Sequence, residues 1–322
     1  MNAMKTETLL SAEEIEAIGA EIRAIKEREG LSWPQLGEQA EMAHQTLQAV
    51  ANGTYAGDMQ GMARRAKRWL DSRAAERESP VGVPAALPFV RTPFVEEIWI
   101  GLDYARVRPS ITLVVADPGM SKTTAAREYA KATPNAHFIN TDPSKANHNG
   151  LLWTLVRRLR IPARNPADYA DAVGERLGGR RSLLLIDEAQ RLDAKALEQL
   201  RSLHDDYGVG VALLGNETLT HIINKMARER DGAQFKSRVG RRVAARKPAA
   251  QDVEAFVAAA ALDDKGMQDF LRAVAKRPGA FRLAANTLWN GQFLAASQKA
   301  ALTLDHLKQG FENLDFSIGA AQ

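Results

Sequence analysis

The stretch ITLVVADPGMSKTTAAREYAKAT, residues 111–133, decides how this chain is read. It opens on five β-branched and aliphatic residues, breaks at ADPGMS (116–121), and resumes in an alanine-rich run of good helix formers. Strand, loop and helix in that order are the setting of a phosphate-binding loop. Such a loop wraps backbone N–H groups around phosphates and adds the partial positive charge of a helix N-terminus. Asp117, Pro118, Gly119, Met120, Ser121, Lys122, Thr123 and Thr124 are therefore candidate nucleotide contacts. Lys122 would bridge the β- and γ-phosphates of ATP, and the Thr123 hydroxyl would hold Mg²⁺. The pattern G-x-x-x-x-G-K-[ST] asks for glycine at 116 and 121, where this chain has Ala116 and Ser121. Alanine at a strand exit costs little while its φ stays negative. A Cβ at 121 either crowds the phosphates or strains the turn. By itself the loop leaves an ordinary strand-to-helix turn open.

A second motif answers it. SLLLIDEAQRL (182–192) reads as an apolar strand ending in Asp187 and Glu188. An acid at the C-terminal tip of a buried strand points into the ligand crevice of an open α/β sheet. There Asp187 would take Mg²⁺ through water, and Glu188 would orient and deprotonate the attacking water. The 65 residues from Lys122 to Asp187 leave room for two helix-containing crossovers. HFIN (137–140) and VGVALL (209–214) supply further apolar runs between helical stretches, the pattern of a parallel sheet covered on both faces.

Composition bounds the rest. With 45% hydrophobic and 25% charged residues, 322 residues can bury about two cores. No apolar run reaches a membrane span, and the acidic N-terminus does not read as a secretory signal. Cysteine is absent, which excludes disulfides and thiolate zinc sites and fits a cytoplasmic protein. No H-E-x-x-H or G-x-S-x-G pattern points to other hydrolytic chemistry. Charge is uneven. Residues 1–80 carry 10 basic and 13 acidic side chains, residues 248–322 carry 7 and 8, and residues 81–247 carry 26 against 18, a balance of +8. Such a concentration suits a polyanion, although a solvated basic face has the same signature.

Four prolines between Pro80 and Pro93 break the chain into parts. The expected organisation is an all-α head (1–78), a proline-rich linker (79–92), an α/β core (93–248) and a helical C-terminal part (249–322). Within the head, LSWPQLGEQAEMAHQTLQAVANG (31–53) spaces its apolar residues for two short helices. That stretch resembles repressor-type helix-turn-helix domains. His44, Gln45 and Gln48 would then face DNA, and a protein-contacting head remains the alternative.

Taken together, Lys122-Thr123, the LLLIDEAQRL strand and LLGNETL (213–219) resemble the AAA+ ATPases of DNA transposition, most of all the Mu phage transposition protein B family. The resemblance implies an AAA+ P-loop parallel sheet with helices on both faces, preceded by an all-α helix-turn-helix domain and followed by an α-helical lid. It places Asn216 as the sensor 1 residue, Arg282 as sensor 2, and Arg238, or else Arg241, as an arginine finger completing a neighbour's site. It further implies a helical filament of identical subunits on double-stranded DNA, held through phosphates by Lys145, Arg157 and Arg158, which delivers target DNA to a transposase in a bacterial host cytoplasm. A solvated helix face competes for the arginines. A non-hydrolysing nucleotide switch, a transcriptional regulator and a helicase-loader-like ATPase remain the other readings.

Overall fold

A computed structural model of the chain describes residues 9–77, 84, 87–228 and 232–314. The chain divides into two compact units, residues 1–82 and 83–322.

Among the described residues, the first unit is four helices: α1 (Ala12–Glu29), α2 (Trp33–Gln39), α3 (His44–Ala51) and α4 (Met59–Arg77). Ser11 and Glu14 form a capping box at the start of α1, and Gly30 ends it in the left-handed conformation. Ile22, Leu36, Leu47, Val50 and Leu70 close one core. Pro34 sits in the first turn of α2, where its missing N–H costs nothing. His44, Gln45 and Gln48 are exposed on α3.

The second unit begins with α5 (Pro93–Val107), capped by the Thr92 hydroxyl, and builds a five-stranded parallel sheet. In chain order follow β1 (Ile111–Ala116), α6 (Lys122–Ala132), β2 (Ala136–Asn140), α7 (His148–Arg158), α8 (Tyr169–Leu177), β3 (Leu183–Asp187), α9 (Ala194–Tyr207), β4 (Gly210–Gly215), α10 (Glu217–Met226), α11 (Gly232–Ser237) and β5 (Val239–Ala245). The spatial order is β2-β3-β4-β1-β5, so each neighbouring pair needs a crossover. β1, β3 and β4 are buried along their whole length. Alternate residues explain why: Leu113, Leu184, Ile186 and Leu213 pack with α7–α10 on one face, whereas Val114, Leu183, Leu185 and Leu214 pack with α5 and α6 on the other. Helices α12 (Ala250–Ala259), α13 (Lys265–Ala275), α14 (Ala280–Ser297) and α15 (Leu304–Glu312) surround a core of Val253, Phe256, Leu271, Phe281, Leu288 and Leu307. Buried Asp252 on α12 accepts the Phe94 N–H at 2.7 Å, tying that bundle to α5.

Candidate nucleotide-binding site

β1 delivers residues 117–121 to the C-terminal edge of the sheet, and α6 starts at Lys122. Beside β1 stands β4, and beyond it β3, so Asp187, Glu188 and Asn216 reach the same edge. A cleft of about 470 Å³ opens there. Pro118, Gly119, Met120, Ser121, Lys122, Thr123 and Thr124 line it, together with Glu188, Asn216 and Arg282.

The loop's conformation bears on the two departures from the glycine pattern. Gly119 has φ +87 and Ser121 φ 59, both left-handed. Ser121 thus occupies a conformation that favours glycine, and its side chain makes no capping bond to α6. Met120 is buried in the core packed by α5 and α6. Asp117 is exposed, and its N–H donates to the Ala245 carbonyl.

Two acids and two donors meet beneath the loop. The Thr123 hydroxyl donates to Asp187 Oδ2 at 2.7 Å. Asp187 is 2% exposed, and its Oδ1 has no hydrogen-bond partner within the protein. Burial pushes its pKa up, against the Thr123 hydrogen bond. A buried, half-satisfied carboxylate beside a hydroxyl fits a hard cation, and Mg²⁺ favours one or two such ligands completed by phosphates. Lys122 Nζ donates to the Ala116 and Asp117 carbonyls at 2.5 and 3.0 Å. Burial lowers its pKa, Asp187 and Glu188 pull the other way, and the Arg282 guanidinium adds to the lowering. Glu188 is itself in the left-handed region, and its carboxylate accepts from Gln190 at 2.8 Å and pairs with Arg191 at 3.4 Å. Asn216 caps α10, its Oδ1 accepting the Thr218 N–H at 3.0 Å.

Other sequence-derived candidates lie elsewhere. Arg238 is not at this cleft. Its carbonyl accepts from Ile111 at the start of β1, one strand length from the loop that follows Ala116. Its side chain is 43% exposed and binds Asp205 at 2.7 Å. Arg241 lies on β5 beside Gly101 of α5, with a buried, unpartnered Nε. Lys145 packs over Trp153 at 4.5 Å and pairs with Asp142 at 3.4 Å, while Arg157 and Arg158 are exposed on the last turn of α7.

No motif in the sequence marks one wall of the cleft. Leu87, Pro88, Phe89 and Val90, from the proline-rich stretch, line it together with Phe256 and Phe281. Phe89 stacks on Trp99 at 6.2 Å, and Leu87 packs against the α12–α15 core. Residues 87–92 are thus part of the core's surface as well as a connection to the head. Only long-range packing reveals this, because proline spacing records local stiffness and not what the chain lies against.

Comparison with known proteins accounts for the arrangement. The family described as "AAA domain" matches residues 105–223, and "Mu B transposition protein, C terminal" matches residues 237–314. The chain is 30% identical over 306 residues to the ATP-dependent target DNA activator B of Escherichia phage Mu, covering 94% of this chain and 97% of that one. A Mu-like prophage DNA transposition protein B of Haemophilus influenzae is 25% identical over 257 residues, 79% of this chain and 88% of its own. The fold is that of the Aeropyrum pernix ORC2 protein, with a TM-score of 0.56 at 15% identity over 75% of this chain and 74% of the other. No helix among the described residues is long and apolar enough to cross a membrane. The α/β core is therefore a nucleotide-binding AAA+ ATPase module, and the chain belongs to the Mu B family of transposition proteins.

Proposed function

We propose that the chain is an ATP-dependent, sequence-indifferent DNA-binding protein that selects target DNA and presents it to a transposase. The observation that carries this reading is the end-to-end similarity to relatives named as ATP-dependent activators of target DNA. We further propose that its parts are a DNA-contacting head (1–78), a linker (79–92), the ATPase core (93–248) and a helical lid (249–322).

The site chemistry follows from the cleft. The base would lie against Phe89, Val90, Phe256 and Phe281, and the phosphates along the backbone of residues 118–124. Lys122 would exchange its loop carbonyls for phosphate oxygens, a charge-assisted gain. Thr123 and Asp187 would hold Mg²⁺, which neutralises charge on the β- and γ-phosphates. Glu188 would take a proton from the attacking water while Asn216 and Arg282 steady the γ-phosphate.

Arg238 stands a strand's length from its own cleft, which suits an arginine that completes a neighbour's site. Arg241, half-enclosed beside α5, is the poorer fit. A head-to-tail contact of this type does not close on itself and extends as a helical filament. Lys145, Arg157 and Arg158, with His44, Gln45 and Gln48 of the head, would meet the duplex, mostly at phosphates. Electron microscopy of the full chain on plasmid DNA tests this: continuous filaments are expected with ATP and not with ADP or without nucleotide. Naked DNA under all three conditions contradicts the reading.

A further inference from the structure

We propose that Gln190 belongs to the hydrolytic set: its amide nitrogen fixes Glu188, and its amide oxygen accepts a hydrogen bond from the attacking water. The proposal deepens the ATPase reading and rests on it. Gln190 sits in the single turn Ala189–Arg191 directly after β3. Its Nε2 donates to Glu188 Oε2 at 2.8 Å. An ionised carboxylate only accepts, so the amide must show its nitrogen to Glu188 and turn its oxygen the other way. That oxygen is buried and has no hydrogen-bond partner within the protein. It lies against Gly215, the last residue of β4, where a Cβ would stand 2.5 Å from it. Glu188, Gln190, Gly215 and Asn216 all line the cleft.

A buried acceptor left unpaired is destabilising, so a donor from outside the protein is the economical explanation. Water supplies one. In attack, its lone pair forms the bond to the γ-phosphorus, and the bond to the bridging oxygen breaks with its electron pair passing to the β-phosphate of ADP. One water proton goes to Glu188 and is later released. The other stays on the new phosphate oxygen. Both O–H bonds need acceptors while the lone pair is aimed, and Glu188 satisfies one of them. Asn216 Oδ1 is committed to the Thr218 N–H. Gln190 Oε1 is free.

The test uses the full chain with Gln190→Met, which keeps length and removes both polar atoms, and Gln190→Glu, which keeps an acceptor and removes the donor. A drop in kcat of about 10- to 100-fold is expected for Gln190→Met. Affinity for a non-hydrolysable ATP analogue and the melting temperature should stay at the wild-type values. In Gln190→Glu a second negative charge joins a group already faced by Asp187, Lys122 and Arg191. It repels the Glu188 carboxylate where the amide nitrogen held it, so kcat should fall at least as far as in Gln190→Met, with analogue affinity again unchanged. Wild-type kcat in Gln190→Met, or a loss of analogue affinity and melting temperature that matches the loss of kcat, overturns the proposal. A wild-type chain that binds the analogue but hydrolyses no ATP removes the ATPase reading itself, and this role with it.

Discussion

The carbonyl oxygen of Gly279 lies 1.8 Å from where a Cβ on Gly119 would stand. Gly279 is the N-cap of α14, which carries Phe281 and Arg282 to the cleft, so the phosphate loop and the C-terminal helices touch backbone to backbone. Gly119→Ala combines a left-handed φ with a backbone overlap, and neither can be relieved by turning a side chain. The expected outcome is at least about a 10-fold loss of ATP affinity by equilibrium binding, as α14 is pushed off the loop. Unchanged affinity would mean that this contact does not shape the site.

Ser121 poses the opposite case. Serine at φ 59 and ψ 12 carries a left-handed penalty of about 1 kcal/mol that glycine avoids. Ser121→Gly should therefore raise the melting temperature by up to about 2–4 °C. A large accompanying gain in ATP turnover would identify serine as a brake on the loop, and a fall in melting temperature would contradict the strain argument.

Asp187 couples stability to function in opposite directions. Its pKa is raised in the fold, so the folded chain holds that proton more tightly than the unfolded chain does. The group therefore costs stability as pH rises above the ordinary carboxylate value of 3.8. Asp187→Asn keeps an acceptor for Thr123 and removes the buried charge. At neutral pH its melting temperature without nucleotide should equal or exceed wild type by about 2–4 °C, while Mg²⁺-dependent ATP binding is lost. A clear drop in melting temperature would show the carboxylate to be structural.

Arg238 is held by Asp205, which also binds Arg201 at 2.6 Å. Arg238→Ala should leave ATP binding by dilute protein unchanged. Turnover by protein assembled on DNA should fall on the order of 100-fold or more. An equal loss in both assays would assign the arginine to its own subunit.

What the sequence made legible, and what it did not, follows from how local each signal is. The loop after β1 and the acids after β3 are read from neighbouring residues, and they meet because parallel strands bring their C-terminal ends to one edge. β5 carries no such signal. It is an edge strand on which Gly240, Arg242 and Ala244 are exposed, so no apolar run announces it. The aromatic wall of the cleft joins residue 89 to residues 256 and 281, separations that no motif spans. Ser121 could be flagged as a departure from pattern, but only the backbone shows why glycine is favoured there.

In the proposed function, a triphosphate beside Lys122 licenses DNA binding. Retention of labelled random-sequence duplex DNA by wild type and Lys122→Ala, with ATP and Mg²⁺, with ADP, and without nucleotide across a salt series, tests it most directly. Retention is expected by wild type with ATP alone, weakening steeply with salt because the proposed contacts are to phosphates, and none by Lys122→Ala. Equal retention by both proteins regardless of nucleotide would contradict it.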